Sequence, residues 1–307
     1  MSGRDRFRAA EARLLDRYVE QRDEIYVDLS TPQVRVRAQI IGDGPPVVLI
    51  NGIGTPGAGF APLLPELRGH RRVVLDLPGH GLASPYDWQG PAVRDQAVAI
   101  LAGVIDELGL GRPAIVANSL GGLFALWLAL DAPTRVRALV LVGEPATALP
   151  GARGIGLMEL LSVPIAGKAF EWSMRLPAPR PVIRSVFATA FGRPAVDADA
   201  DVVAVHALSL RVPGQARSFR SLLQRILDGR TPRPENVLTD DELARLALPI
   251  LFVWGTDDAF LSPADGRASV AKISGARLEE VPGGHDPWLD DPRRCGELIR
   301  RFLDDAL

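Results

Sequence analysis

The sequence predicts an α/β protein in which a mostly parallel central sheet is flanked by helices and carries a helical insertion. Three observations support this. Short apolar runs bounded by Gly and Pro recur along the chain, helical segments alternate with them, and residues 149–246 hold helical pieces without a good strand. Continuous Val/Ile/Leu runs suit strands covered on both faces, the condition of a parallel sheet between helix layers.

In chain order, the segment MSGRDRFRAAEARLLDRYVEQRDE is charged throughout and lacks the apolar region of a signal peptide. Phe7, Leu14, Leu15 and Tyr18 recur at helical spacing, so residues 1–23 read as an amphipathic helix packed on the body. Alternating stretches at 24–29 and 34–41 suit an antiparallel pair joined at STPQ. The buried strand candidates follow as PVVLING, RRVVLDLPG, PAIVANS and VRALVLVGE, then LPILFVWG and ARLEEVPGG beyond the insertion. Helices are expected at 91–108, 120–131, 265–273 and 292–303. The core is thus 24–148 plus 247–307, roofed by a helical cap at 149–246. Residues 151–233 carry 12 Lys+Arg against 6 Asp+Glu, whereas the remainder carries 23 against 31. Such a basic insertion most often reflects solvated helix faces; the alternative is an anion-attracting site.

The composition narrows the function. With 307 residues, 47% apolar and 23% charged, the chain suits one large domain or a domain with an insertion. A net charge of -2 gives no footprint for nucleic acid or a polybasic membrane contact. Cys295 is the single cysteine, which excludes an internal disulfide and a cysteine metal cluster and fits a reducing compartment. No window reaches the roughly 18 apolar residues of a spanning helix. The expectation is a cytoplasmic monomer or homodimer acting on a small-molecule substrate, without nucleic-acid or membrane partners.

The chemistry centres on IVANSLGGLFALWLAL, where Ser119 stands between a strand-like and a helix-like run. A tight turn there lifts the hydroxyl above the sheet and needs small residues two before and two after it. Gly121 meets this need and Ala117 nearly does. The following helix points its N–H groups at the serine, where they can bind a developing negative charge. The competing reading is a serine helix cap. A nucleophilic serine needs a base and an orienting acid. Of the four histidines, His70, His80 and His206 fall between elements, in a glycine-rich turn and in the insertion. His285, after the last strand in VPGGHDPWLDDP, is placed best. The acid should close the preceding strand, where ILFVWGTDDAFLSP offers Asp257 or Asp258.

These residues resemble the α/β-hydrolase superfamily from about Tyr26 onward. ANSLGG is similar to its nucleophile elbow, DLPGHGLAS to its signature turn at 76–84, WGTDDAFLSP to its acid turn and GGHDPWLDDP to its histidine loop. The resemblance implies the α/β-hydrolase fold with a cap and a triad of Ser119, Asp258 and His285. Asp258 is selected because the family's acid falls three residues after the glycine. It also implies an oxyanion hole in NGIGTPG, with Asn51 where histidine is usual, and backbone donors at Ile53 and Leu120. Asn51, Gly52, Asn118 and Trp288, which flank these groups, are the expected substrate contacts. Neither a metal nor an organic cofactor is expected.

In the implied mechanism His285 takes the serine proton and titrates near neutrality, Asp258 stabilises the imidazolium, and water releases the acyl-enzyme. Hydrolysis of a carboxylic ester or lactone of a medium-sized hydrophobic substrate leads the readings. Carbon–carbon bond hydrolysis is the alternative, since ANSLGG and WGTDDAFLSP resemble meta-cleavage product hydrolases, whose SGPG-like oxyanion loop is only loosely echoed by GTPG. A third reading is a ligand receptor or scaffold that retains the triad without turnover. Serine at the elbow argues against the aspartate-dependent dehalogenases and epoxide hydrolases of this fold.

Overall fold

A computed structural model describes residues 1–174, 176, 179–191 and 199–306. The chain begins with helix α1 (Gly3–Leu15), followed by strands β1 (Asp23–Ser30), β2 (Gln33–Ile41), β3 (Pro46–Ile50) and β4 (Arg71–Asp76). Helix α2 (Val93–Glu107), strand β5 (Ala114–Asn118), helix α3 (Leu120–Asp131) and strand β6 (Ala138–Val142) complete the first part of the core. The cap region holds α4 (Gly156–Ser162), α5 (Pro164–Ser173), α6 (Arg180–Phe191), α7 (Ala200–Ser209) and α8 (Gln215–Ile226). Two-residue strands β7 (Leu227–Asp228) and β8 (Thr231–Pro232) and helix α9 (Asp240–Arg245) lead back to the core. Strand β9 (Ile250–Gly255), helix α10 (Pro263–Val270), strand β10 (Arg277–Val281) and helices α11 (Pro287–Asp290) and α12 (Pro292–Ala306) close the chain.

The eight main strands form one sheet in the order β1-β2-β4-β3-β5-β6-β9-β10. The β1–β2 and β2–β4 pairs are antiparallel and the remaining neighbours are parallel. Every residue of β5 and β6 is buried, as a strand between two helix layers must be. Helix α3 is buried all round from Leu120 to Leu130, which explains why it is apolar on every face. Because the parallel strands run the same way, their carboxyl ends bring the loops after β3, β5, β6, β9 and β10 to one edge, where ligands bind in open α/β sheets.

Two details depart from the sequence reading. The short pair β7–β8 lies where no strand was expected; two residues per strand leave no periodicity to read. Helix α1 stops at Leu15, so Tyr18 lies beyond it and donates its hydroxyl to Asp199 at 3.4 Å. Several arginines of the cap are engaged. Arg225, Arg230 and Arg233 donate to the carbonyls of Pro91, Gly154 and Gln224, and Arg220 pairs with Glu171. Among the described residues no helix is long and apolar enough to cross a membrane.

Polar seams join these parts. Gln215, at the start of α8, donates to the carbonyls of His80 (3.2 Å), Gly81 (3.0 Å) and Ala83 (3.1 Å), pinning the cap to the turn after β4. Beneath that turn lies a buried ionic cluster. Arg37 donates to both Glu11 oxygens at 2.7 and 2.6 Å and to Asp76 Oδ2 at 2.9 Å. Asp76 also accepts from the Gly57 N–H at 2.8 Å and the Leu82 N–H at 3.0 Å. The signature aspartate is thus a structural hub that links α1, the sheet and the loop after β3. Replacing Arg37 by Met strands two buried carboxylates and should lower unfolding free energy by about 3–5 kcal/mol. Denaturant unfolding measures this; a loss under about 1 kcal/mol would show that the cluster is not needed for stability.

Candidate active site

Ser119 is the first residue after β5 and has φ 49° and ψ -120°. A helix-capping serine has extended backbone angles and a side-chain oxygen that accepts from the first turn. Ser119 has neither, since its side chain makes no cap hydrogen bond to α3. The surroundings enforce the turn. A Cβ on Gly121 would stand 2.4 Å from the Ile50 carbonyl oxygen, so only glycine lets α3 come this close to β3. Ala117, the other small position, is fully buried in the sheet.

His285 arrives on the loop after β10, held by the Gly284 N–H donating to Asp290 Oδ2 at 3.0 Å. The loop presses on the end of β6, where a Cβ on Gly143 would meet the His285 carbonyl oxygen at 2.2 Å. His285 Nδ1 lies 3.0 and 2.9 Å from the two Asp258 oxygens. Asp258 is oriented in turn, accepting from the Glu144 N–H at 2.9 Å and the Phe260 N–H at 3.0 Å. Its neighbour Asp257 is exposed and engages the loop through its own N–H, which donates to the Gly283 carbonyl at 2.9 Å. Of the two sequence alternatives, Asp258 is the one brought to the histidine. His285 Nε2 is buried with no partner among the described residues. Ser119 makes no hydrogen bond to it here, and unliganded sites of this kind often tighten only with substrate.

Ile53, Ser119 and Leu120 line one narrow cavity of about 30 Å³. The Leu120 N–H belongs to the first turn of α3, where helix geometry supplies no intrahelical acceptor. Ile53 and Met158 are shared with an adjoining cavity of about 230 Å³, lined mainly by apolar side chains such as Leu161, Phe170, Phe187 and Phe219. The space between cap helices and the edge of the sheet is therefore largely apolar.

The four residues expected to touch substrate line neither cavity. The Asn51 amide donates to the Pro56 carbonyl at 2.7 Å and accepts from the Gly52 N–H at 2.9 Å, ordering the loop. Gly52 is needed for close approach: a Cβ there would stand 3.1 Å from Ser119 Cβ. Asn118 donates to the Val142 carbonyl at 2.9 Å and Asp286 Oδ1 at 3.1 Å, tying β5 to β6 and the histidine loop. Trp288 is fully buried, stacked on Phe60 with centroids 4.9 Å apart, and donates to the Gly59 carbonyl at 3.0 Å. All four support the loops from behind. The other histidines also lie outside the pair: His80 Nδ1 meets the Pro78 carbonyl at 3.1 Å and His206 Nδ1 the Val202 carbonyl at 2.8 Å.

Three residues at the site escaped the sequence reading. Phe260 lines the Ser119 cavity, and its ring lies over His285 with centroids 4.3 Å apart. Asp286 is buried beside His285, and burial, with the Asp258 charge, pushes its carboxyl up to about 7. Glu144 follows β6 with its carboxyl buried in the cavity wall; burial and then Asp258 push it up to about 8. A glutamate that closes an apolar run, as in LVGEPA, was the available signal. Among the described residues no group of three or more His, Cys, Asp or Glu side chains could hold a metal ion.

Charge sets the working pH. Burial pulls the His285 imidazole down, but Asp258 outweighs it, aided by Asp286 and Glu144, and the ring is raised to about 9. This departs from the neutral titration expected of a lone histidine. A general base acts when deprotonated, so kcat/KM should climb with pH through an apparent pKa well above the ordinary 6.5 of histidine. A limb already complete by pH 6.5 would remove the dominance of Asp258 from the account.

Comparisons with known proteins show the family and the fold. Residues 47–298 match the model of the Alpha/beta hydrolase family. A pimeloyl-[acyl-carrier protein] methyl ester esterase of Xanthomonas axonopodis pv. citri is 30% identical over 281 residues, 86% of this chain and 97% of that protein. The enol-lactonase from Burkholderia xenovorans LB400 shares the fold with a TM-score of 0.71 and 21% identity, over 91% of this chain and 100% of that one. A meta-cleavage product hydrolase gives a TM-score of 0.72 and 22% identity over 92% and 98% of the two chains. The last two are likenesses of fold alone. The chain belongs to the alpha/beta hydrolase family.

Proposed function

We propose that this protein is a serine hydrolase that cleaves carboxylic esters or lactones of medium-sized apolar substrates through an acyl-enzyme. The observation that carries this reading is the Ser119 turn: a positive-φ serine, unused as a helix cap, that faces a cavity together with Ile53 and Leu120. In the reaction His285 Nε2 accepts the Ser119 proton as Oγ bonds to the carbonyl carbon, and Asp258 stabilises the imidazolium. The N–H groups of Ile53 and Leu120 hold the oxyanion, a contribution of about 3–4 kcal/mol per donor in comparable sites. His285 then protonates the departing alcohol, and water, deprotonated by the same ring, releases the acid. The esterase relative supports the ester reading.

The adjoining apolar cavity would take the acyl chain, so p-nitrophenyl esters should improve in kcat/KM from acetate to medium chains. Ser119→Ala should remove this turnover while leaving the thermal unfolding midpoint within a few degrees, since only a hydroxyl is lost. Asp258→Asn should reduce kcat by about 10⁴-fold, because the amide can hold the wrong imidazole tautomer. Asp257→Asn, a change at an exposed side chain, should alter kcat little. Steady-state kinetics on the four proteins checks all of this; preference for acetate, or reversed ranking of the two aspartates, contradicts it.

A further inference from the structure

The cavity at Ser119 has two unlike kinds of lining, and an apolar acyl chain accounts for only one. Through Ile53 and Met158 it adjoins the larger apolar space. Glu144, Thr147 and Arg153 also line it. Thr147 is 6% exposed, and its hydroxyl has no hydrogen-bond partner among the described residues. Buried hydroxyls are almost always paired, so one left over in a reaction cavity marks a place where a ligand supplies the partner. The residue itself is fixed, because its N–H donates to Glu144 Oε1 at 2.8 Å.

Arg153 is anchored by its own N–H, which donates to the Phe260 carbonyl at 3.0 Å, on the segment that carries Asp258. Its side chain is exposed at the cavity and has neither an ion pair nor a hydrogen bond among the described residues. That sets it apart from Arg220, Arg225, Arg230 and Arg233 of the same cap, all of which are engaged. Burial and the Asp258 charge push the Glu144 carboxyl up to about 8, which weakens its repulsion of an anion at the wall. A hydroxyl and a guanidinium fork both donate, and such a pair matches the oxygens of an anion. The narrowness of the space favours a flat carboxylate over a tetrahedral group.

We propose that this wall binds a carboxylate carried by the substrate, with Thr147 Oγ1 and the Arg153 guanidinium as its direct partners. The inference rests on the hydrolase reading above and narrows it. The substrate is an ester or lactone with one apolar arm, lodged among the cap helices, and one acidic arm on the other side of the reacting carbonyl.

Binding to the Ser119→Ala protein tests this without turnover. Calorimetry would compare 3-carboxypropyl hexanoate with butyl hexanoate, which share the apolar acyl arm, match in length and differ in the carboxylate. The acid should bind about tenfold tighter or more, the range of a hydrogen bond to a charged group. Thr147→Val and Arg153→Gln, each added to Ser119→Ala and checked for folding by thermal melting, should each lower that acid-to-neutral ratio severalfold. Equal affinity for the two ligands overturns the proposal, and so does a ratio unmoved by both substitutions. The hydrolase reading is read out separately, by wild-type hydrolysis of butyl hexanoate and of 3-carboxypropyl hexanoate. Turnover without acid preference removes only the carboxylate site, whereas acid preference without turnover of either ester removes only the hydrolase reading.

Discussion

A strained turn at one serine governs the layout of the protein. Ser119 holds φ 49° and ψ -120°, a conformation that costs an L-residue on the order of 1–3 kcal/mol and persists only where the surroundings over-determine it. Those surroundings are visible. Helix α3 is buried from Leu120 to Leu130, Gly121 lies on the Ile50 carbonyl, and the Asn118 amide is tied to both β6 and the histidine loop. The same glycine and amide that hold the turn also bring β3, β6 and the loop after β10 within reach of it. Relaxing the serine would therefore unpick the meeting of loops at the sheet edge.

The second constraint is electrostatic. Asp258, Asp286 and Glu144 crowd around one imidazole in a buried space, and three ionised carboxyls there would repel strongly. The environment separates their roles. Asp258 accepts two backbone N–H bonds and pairs with His285, while burial drives Asp286 and Glu144 toward their protonated forms. Pushing neighbouring titratable groups apart in this way lets one carboxylate stay ionised beside two carboxyls that are harder to ionise. At the other end of the core, the Arg37 cluster joins α1 to Asp76 and, through the Gly57 N–H, to the loop that carries Ile53. The loop after β3 is thus supported from below by charge and from within by the Asn51 amide.

Much of this was legible in the sequence because it is local. Each buried strand was a continuous apolar run ended by turn residues, and Ser119 and Asp258 each follow such a run, while His285 follows the charged, largely unburied β10. The insertion was legible through its prolines and missing strands, though β7 and β8 are too short to leave a pattern. What the sequence did not reveal is orientation. Asn51, Gly52, Asn118 and Trp288 neighbour reactive positions along the chain, but adjacent side chains at a strand end point different ways. They support the loops and leave the cavity to others. Its lining comes instead from Phe260, Thr147, Arg153 and Met158, residues that only the tertiary fold assembles. Glu144 looked like an ordinary strand end, and its meaning depends on Asp258, which lies 114 residues away.

The central claim is that the Ser119 hydroxyl is the nucleophile. Treating the protein with a fluorophosphonate and mapping the adduct by peptide mass spectrometry tests it most directly. The account predicts a single phosphonyl group on the peptide that contains Ser119, absent from the Ser119→Ala protein and suppressed when His285 is replaced by Ala. An adduct on Ser84 or Ser262, or labelling that survives the loss of Ser119, would contradict it.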